Sequence, residues 1–496
     1  MSDIDNLRQL EKPAPHPAAA NCGSREPTPS MAQKLAAFVV RADYDDLSAS
    51  ARSQLKIRVL DSLGCAIGAL SSPLAAQLRA QLEEFGGKEL STCIGSGKTS
   101  PDRAAFYNSA LVRYLDFNDS YLAKGETCHP SDNLGSVLAA CEYADRSGRD
   151  FLAALAAAYQ VQCRLSDVAP VRAKGFDHTT QGSYAVAAGV ARSLGLDVER
   201  TAHAIAICGT AFNALRVTRT GVLSNWKGLA YPNCAFGSTH ATFLAMRGIT
   251  GPLEVFEGNK GFMASIAGHF EIDWQKEDLE RVTRTIIKKH NAEIHSQTAI
   301  EAMLQLRRQA NLSPEDVEEA EVEIFDVAFH IIGGGEEGEK HSVQTKEEAD
   351  HSLPYLLAVA LLDGKVMPDE FLPERILRAD VQALLRKFHV RPLEEFSRRF
   401  PNELPCRLTV KLRDGRTVSA ECSDYEGFST RPPRWETAVN KFRCLAEPCS
   451  TAALRERIVD AVDRLDRIKV RQLGGLLHRV TPAPADSREG VLLHAR

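Results

Sequence analysis

The stretch "LDFNDSYLAKGETCHPSDN", Leu115 to Asn133, gathers three aspartates, one glutamate, one lysine, three Ser/Thr hydroxyls and a histidine into nineteen residues. Carboxylates and imidazole at this density are the groups that move protons at a bound substrate. His129 and Pro130 come just before a predicted helix whose N-cap is Ser131 or Asp132. The positive end of that helix disfavours an imidazolium, which keeps His129 neutral, and the same helix start suits a substrate carboxylate. Further polar blocks follow: "KGFDHTTQGS" with His178, "LRVTRTG" with Arg216 and Arg219, "SNWKGLAYPNCA" with Lys227, and "IIKKHNAEIHSQTA" with Lys288, His290 and His295. Any one of them reads as an ordinary surface or core group. Together they supply cations for a polyanionic substrate.

Other site chemistries fit the sequence poorly. "IGSGKTS", Ile94 to Ser100, lacks the first glycine of a phosphate-binding loop, since Thr92 stands there, and reads as a turn. "GGGEEGEK", Gly333 to Lys340, reads as a flexible acidic loop. Neither a HExxH helix nor a Cys-x-x-Cys pair is present, so no metal site is expected. Twelve scattered cysteines, several in helix-like apolar contexts, read as reduced, buried small hydrophobes.

These groups need a large scaffold to bring them together. A chain of 496 residues with 44% hydrophobic and 25% charged residues is globular and too long for one ordinary core. A net charge of −5 without a basic stripe gives no case for nucleic acid, and no apolar run is long enough to span a membrane. The amino terminus has no signal-like core, so a cytoplasmic protein is expected. Residues 1–28 read as a flexible lead. Residues 29–282 read as Ala-rich helices whose small side chains allow close packing, as in "DNLGSVLAACEYADRSG". Residues 283–433 read as a smaller α+β unit, with strands in "EEAEVEIFDVAFHII" and a hairpin around Asp414 and Gly415 in "CRLTVKLRDGRTVSAECS". Helix is predicted around Leu353 to Asp363 and Asp380 to Phe388. Residues 434–478 read as a helical return onto the first domain and 479–496 as a flexible tail.

In order along the chain, "YLDFNDSYL", "HPSDN", "GFDHTTQG", "KGLAYPNCA", "AEIHSQTAIEA" and "DHSLPYLLAVALLDG" resemble the MmgE/PrpD family, most of all its 2-methylcitrate dehydratase members, over roughly residues 29–473. The resemblance implies a homodimer in which each subunit has a large helical domain and an α+β lid, with the active site in the cleft between them. It also implies no metal or other cofactor. Carried over by position, Asp116, Ser120, His129, His178 and Lys227 are the expected catalytic set and Tyr355 the tyrosine that the lid contributes to substrate binding; Arg216, Lys288 and His295, from the polar blocks, are the further expected substrate contacts. Two departures favour the dehydratase branch over decarboxylating relatives: Gly228, Leu229 and Ala230 follow Lys227 in place of Pro, Leu and His, and Glu293 stands where those relatives carry His or Cys. The expected reaction removes water from 2-methylcitrate, with citrate as a second substrate, in the propionate-catabolic 2-methylcitrate cycle. His129 and His178 serve as base and acid in either order, Asp116 orients a histidine or is itself the base, and Lys227, Lys288 and Arg216 clamp carboxylates. The alternatives are cis-aconitate decarboxylation, an isomerase or epimerase on the same scaffold, and a catalytically idle helical interaction protein. Asp119, Lys124 and Glu126 are read as solvent-facing loop residues.

Overall fold

The computed structural model describes residues 28–483. Nine helices build most of the first domain: α1 Met31–Arg41, α2 Ala49–Gly68, α3 Pro73–Phe85, α4 Pro101–Tyr114, α5 Leu134–Tyr143, α6 Gly148–Val168, α7 Thr179–Leu194, α8 Val198–Ala211 and α9 Trp226–Met246. Their starts are written locally. Ser30, Ser48, Ser72, Ser147 and Asp197 each accept a hydrogen bond from a first-turn backbone N–H, and Pro73 and Pro101 occupy first-turn positions where no N–H is needed.

Alanine and glycine on the facing sides let these helices approach closely. A Cβ on Gly189 of α7 would come 2.8 Å from Val137 of α5 and 3.1 Å from the Ala158 Cβ of α6. The resulting apolar core draws on residues from Ala32 to Ile287 and again from Ala438 to Val480. The later set comes from the helices Trp435–Ala446, Ala452–Asp463 and Val470–Leu477, which return to this domain.

A second core, from Ile286 to Phe428, belongs to an α+β unit. Its sheet has the order Phe388–Pro392, Val317–Ile324, Cys406–Leu412, Thr417–Cys422, the first pair parallel and the rest antiparallel. The Asp414 and Gly415 turn joins the last two strands, as their alternation predicts. The strand predicted to run on to Val327 ends at Ile324, and Asp326–Ile332 is helical. There the buried positions Ala328, Ile331 and Ile332 change to spacings of three and four. Similarly, helix Ala379–Leu384 gives way at Phe388 to the parallel edge strand.

Three loop readings need revision or placement. "IGSGKTS" is the turn between short strands Ser91–Cys93 and Gly97–Thr99. In "GGGEEGEK", however, Glu337 and Lys340 are buried, because the loop folds back with Glu337 N–H donating to the His330 carbonyl at 2.9 Å. The predicted lead falls outside the described residues except Thr28. Of the predicted tail, residues 479–483 are described and packed, with Val480 buried and Ala483 N–H donating to Ser71. The described cysteines are all free, and nine of the eleven are buried. Among the described residues, no single helix is long and apolar enough to cross a membrane.

The carboxy-terminal return can be tested at one glycine. A Cβ on Gly148, at the start of α6, would lie 1.7 Å from the Leu465 carbonyl oxygen, and the Gly148 N–H already donates to the Ile468 carbonyl. Backbone atoms on both sides leave little room to yield. Gly148→Ala is expected to lower unfolding stability by about 1–3 kcal/mol, measured by denaturant titration. An unchanged midpoint would show that residues 465–468 do not pack there.

Candidate active site

Helix α4 ends at Tyr114, and Asp116 then takes a left-handed conformation with φ +53. Such a φ is uncommon outside glycine, although aspartate tolerates it better than most residues. Here it turns the carboxylate back over the helix end. Oδ1 accepts from Arg113 Nη1 at 2.5 Å and from Lys288 Nζ at 2.6 Å, while Oδ2 accepts from Lys227 Nζ at 3.2 Å. Burial alone would raise the Asp116 carboxyl, but Arg113, Lys288 and Lys227 outweigh it and hold the group ionised, well below the usual range.

After Asp116 the chain pairs with the segment carrying Lys288. Ser120 and Ile286 exchange backbone hydrogen bonds at 2.9 and 2.8 Å. A short hairpin, Tyr121–Ala123 with Glu126–Cys128, then brings His129 back beside Arg113. The Asp119 carbonyl lies 2.8 Å from His129 Nδ1, and since a carbonyl only accepts, this nitrogen carries the proton. Nε2 is then the acceptor for Arg113 Nη2 at 3.3 Å. Ser120 Oγ is 3.1 Å from Nδ1 and thus acts behind the ring, away from the cavity wall.

His178 stands at the start of α7, with its ring 5.4 Å from that of His129 in an edge arrangement. Its Nδ1 lies 3.3 Å from Asp177 Oδ1, and Arg219 Nε donates to Asp177 Oδ2 at 2.5 Å. The other nitrogen, Nε2, is buried without a hydrogen-bond partner. From the lid, His295 mirrors this arrangement: Nδ1 is 2.7 Å from Glu293 Oε1, the His295 N–H donates to Oε2 at 2.7 Å, and Nε2 again has no partner. Burial would raise Glu293, but His295, His351 and Lys288 bring it down to about 2.

Asp116, His129, His178, Arg216, Lys288 and His295 all line one cavity of about 40 Å³ between the two cores. A second cavity, of about 250 Å³, lies behind Lys288 among Phe117, Met367 and Lys441, and has no histidine on its wall. Lys227 sits just outside the first cavity, bridging Asp116 to the lid: its ammonium is 2.6 Å from Asp350 Oδ1 and 2.9 Å from His351 Nδ1. Asp116, Asp350 and His351 are close enough to hold a metal ion. The Lys227 ammonium already provides a cation among them.

Tyr355 does not join the cavity. It lies in a helix buried on all sides, Leu353–Asp363, and its hydroxyl donates to the Glu370 carbonyl inside the lid core. Asp119 and Glu126 are also buried, contrary to the solvent-facing reading. Asp119 accepts from Ser131 N–H and the Tyr159 hydroxyl, and Glu126 accepts from the backbone of Val171 and Arg172. Lys124 is exposed as expected. Neither Ser131 nor Asp132 is the helix N-cap, because a 3-10 turn over Pro130–Asn133 precedes α5, and both side chains instead accept from Asn118.

Sequence reasoning missed Arg113, Arg172, Glu337 and the Asp350–His351 pair. One signal was available. Asp177–His178, Asp350–His351 and Glu293–His295 each put a carboxylate within two residues of a histidine.

The buried imidazoles give the fold a pH dependence. Burial first, and then nearby cations, push His129 well below its usual range and lower His351; burial brings His178 down to about 4. Below the ordinary imidazole value of about 6.5, the unfolded chain therefore binds protons that the folded chain refuses. Stability is complete above that value and falls as pH drops towards about 4. The denaturant midpoint is expected to fall between about pH 7.5 and pH 5, by up to about 1.4 kcal/mol per unit per histidine, and His178→Asn should flatten the slope. A midpoint constant over that interval would contradict neutral burial.

Comparison with known proteins agrees with this architecture. The MmgE/PrpD N-terminal domain matches residues 33–275 and the MmgE/PrpD C-terminal domain residues 290–467. The mitochondrial 2-methylcitrate dehydratase of Yarrowia lipolytica is 26% identical over 80% of this chain and 79% of its own length. The 2-methylcitrate dehydratase of Escherichia coli K12 is 26% identical over 63% and 68%, respectively. Mouse cis-aconitate decarboxylase is 24% identical over 89% and 91%. The chain belongs to the MmgE/PrpD family.

Proposed function

We propose that this chain is a hydro-lyase that removes water from a 2-hydroxy tricarboxylate of the 2-methylcitrate type, with citrate as a second substrate. The observation that carries this reading is the pair of carboxylate–histidine units, Asp177–His178 from the helical domain and Glu293–His295 from the lid, each with an unpartnered Nε2, on one cavity rich in Arg and Lys.

Elimination breaks a C–H bond next to a carboxylate, forms the C=C bond and releases the hydroxyl as water. His178 suits the base: it is neutral at pH 7, Asp177 faces Nδ1, and Nε2 is free to take the proton. His129 is less suited, because Arg113 already occupies its Nε2. Charge developing on the activated carboxylate is met by Arg113 and Lys288, fixed in advance by Asp116. His295, with Nδ1 held by Glu293 and an unpartnered Nε2 on the cavity, suits delivery of a proton to the leaving hydroxyl. Lys227 and Ser120 then act by positioning, Lys227 through Asp116 and the lid and Ser120 through His129.

His178→Asn and His295→Asn are each expected to lower kcat by roughly two orders of magnitude or more. The assay follows absorbance of the unsaturated acid from 2-methylcitrate and citrate, with CO₂ release from cis-aconitate measured separately. CO₂ from cis-aconitate without dehydration would replace this reading with the decarboxylase one. No turnover of any of the three would remove the tricarboxylate reading. Activity is expected to survive chelation, since Lys227 already provides the cation at the Asp116–Asp350–His351 cluster.

A homodimer accompanies this reading. Trp226, Leu229, Phe236 and Leu244 share one outer face of α9 at helical spacing, and Trp226, Phe236 and Leu244 are exposed. An exposed apolar stripe on a helix fits a protein contact. Light scattering is expected to give twice the chain mass for the native protein and the single mass for Phe236→Glu/Leu244→Glu. A dimeric double variant would place the contact elsewhere, and a monomeric native protein would remove the dimer.

A further inference from the structure

The cavity is narrow and its cations are already engaged. Arg113 and Lys288 pair with Asp116, Arg219 pairs with Asp177, and Arg172 and Arg216 both pair with Glu337. At about 40 Å³ it holds only a few waters at the roughly 10–15 Å³ each needs. A tricarboxylate therefore requires both more room and cations released from their internal partners. Most of the internal acids are built into one domain or fixed by several partners: Asp116 by its three cations, Asp177 beside His178, and Glu126 by backbone N–H groups.

Glu337 differs from these acids. It belongs to the lid, whereas Arg172 and Arg216 belong to the helical domain. One oxygen, Oε1, takes both guanidinium groups, with Arg216 Nη2 at 2.5 Å and Arg172 Nη2 at 3.3 Å. The other, Oε2, is buried with no hydrogen-bond partner. The loop on either side is permissive, since Gly334 and Gly338 have φ +104 and +95 with open space where a Cβ would stand.

We propose that Glu337 is an internal stand-in for a substrate carboxylate: it holds Arg172 and Arg216 across the cleft and yields them to an incoming carboxylate, so that it sets the affinity of the site. This rests on the polycarboxylate reading above. Closing Glu337 onto these arginines lowers the population competent to bind, which weakens apparent affinity by the same factor. A half-satisfied buried carboxylate is also a weaker competitor than a substrate carboxylate able to use both oxygens, so the exchange favours substrate.

The test measures binding of propane-1,2,3-tricarboxylate, which has no hydroxyl to eliminate, to the full chain by calorimetry at fixed salt. Glu337→Gln is expected to bind about tenfold more tightly than the native protein. Arg216→Gln is expected to weaken binding by tenfold or more in the Glu337→Gln background and by less than about threefold in the native background, where that arginine is already engaged. Equal or weaker binding by Glu337→Gln would overturn the proposal and leave Glu337 a structural latch. If Glu337→Gln does not fold, Glu337→Asp, shorter by one methylene, is expected to bind about threefold more tightly, and equal or weaker binding there overturns it equally. Absence of binding to native, Glu337→Gln and Glu337→Asp chains would instead sink the polycarboxylate reading, and this inference with it.

Discussion

A single carboxylate, Asp116, joins three cations from three parts of the chain: Arg113 on α4, Lys227 on α9 and Lys288 at the passage into the lid. All four groups are almost fully buried, so bulk water screens none of them. Desolvating four charges is costly, and it is offset by their mutual contacts and by that of Lys227 with Asp350. Losing one member would leave the rest uncompensated. The left-handed backbone at Asp116 is what aims the carboxylate at all three.

The position of the lid follows from the same cluster. Lys227 continues through its ammonium to Asp350, and the Lys288 segment is zipped to Ser120 by backbone hydrogen bonds. Thus charges join the second core to the helical domain at the cavity, beside apolar contacts such as Leu122 on the second core and Met367 on the first. A cleft held by ion pairs can exchange one anion for another, which an apolar seal cannot do. Its acids and bases keep distinct charge states: burial keeps His129 and His178 neutral, while neighbouring cationic groups, against burial, keep Asp177 and Glu293 ionised.

Much of this was legible along the chain. The Ala-rich helical body, the return of the last helices and the hairpin at Asp414 and Gly415 follow from local periodicity and turn chemistry, which neighbouring residues dictate. The motif blocks pointed to Asp116, His129, His178, Arg216, Lys288 and His295, and all six line the cavity. Tyr355 failed because a motif match says nothing about side-chain direction, and its hydroxyl is taken up inside the lid. Arg172 and Glu337 were invisible for another reason. One lies in a short turn and the other in a glycine-rich acidic loop, and each has meaning only through a partner 165 residues away.

Composition, spacing and motif order by themselves determined the two-part architecture and pointed to the acid, imidazole and cationic groups of the cavity, because these depend on residue type and short-range pattern. Only the tertiary structure decided which charges neutralise one another. It buried Asp119 and Glu126 although their stretch reads as a solvated loop, and it left His178 and His295, not His129, with a free ring nitrogen. The physical reason is that protonation state, hydrogen-bond partner and desolvation are set by whatever atoms lie within a few ångströms. Across a cleft, those atoms come from distant parts of the chain.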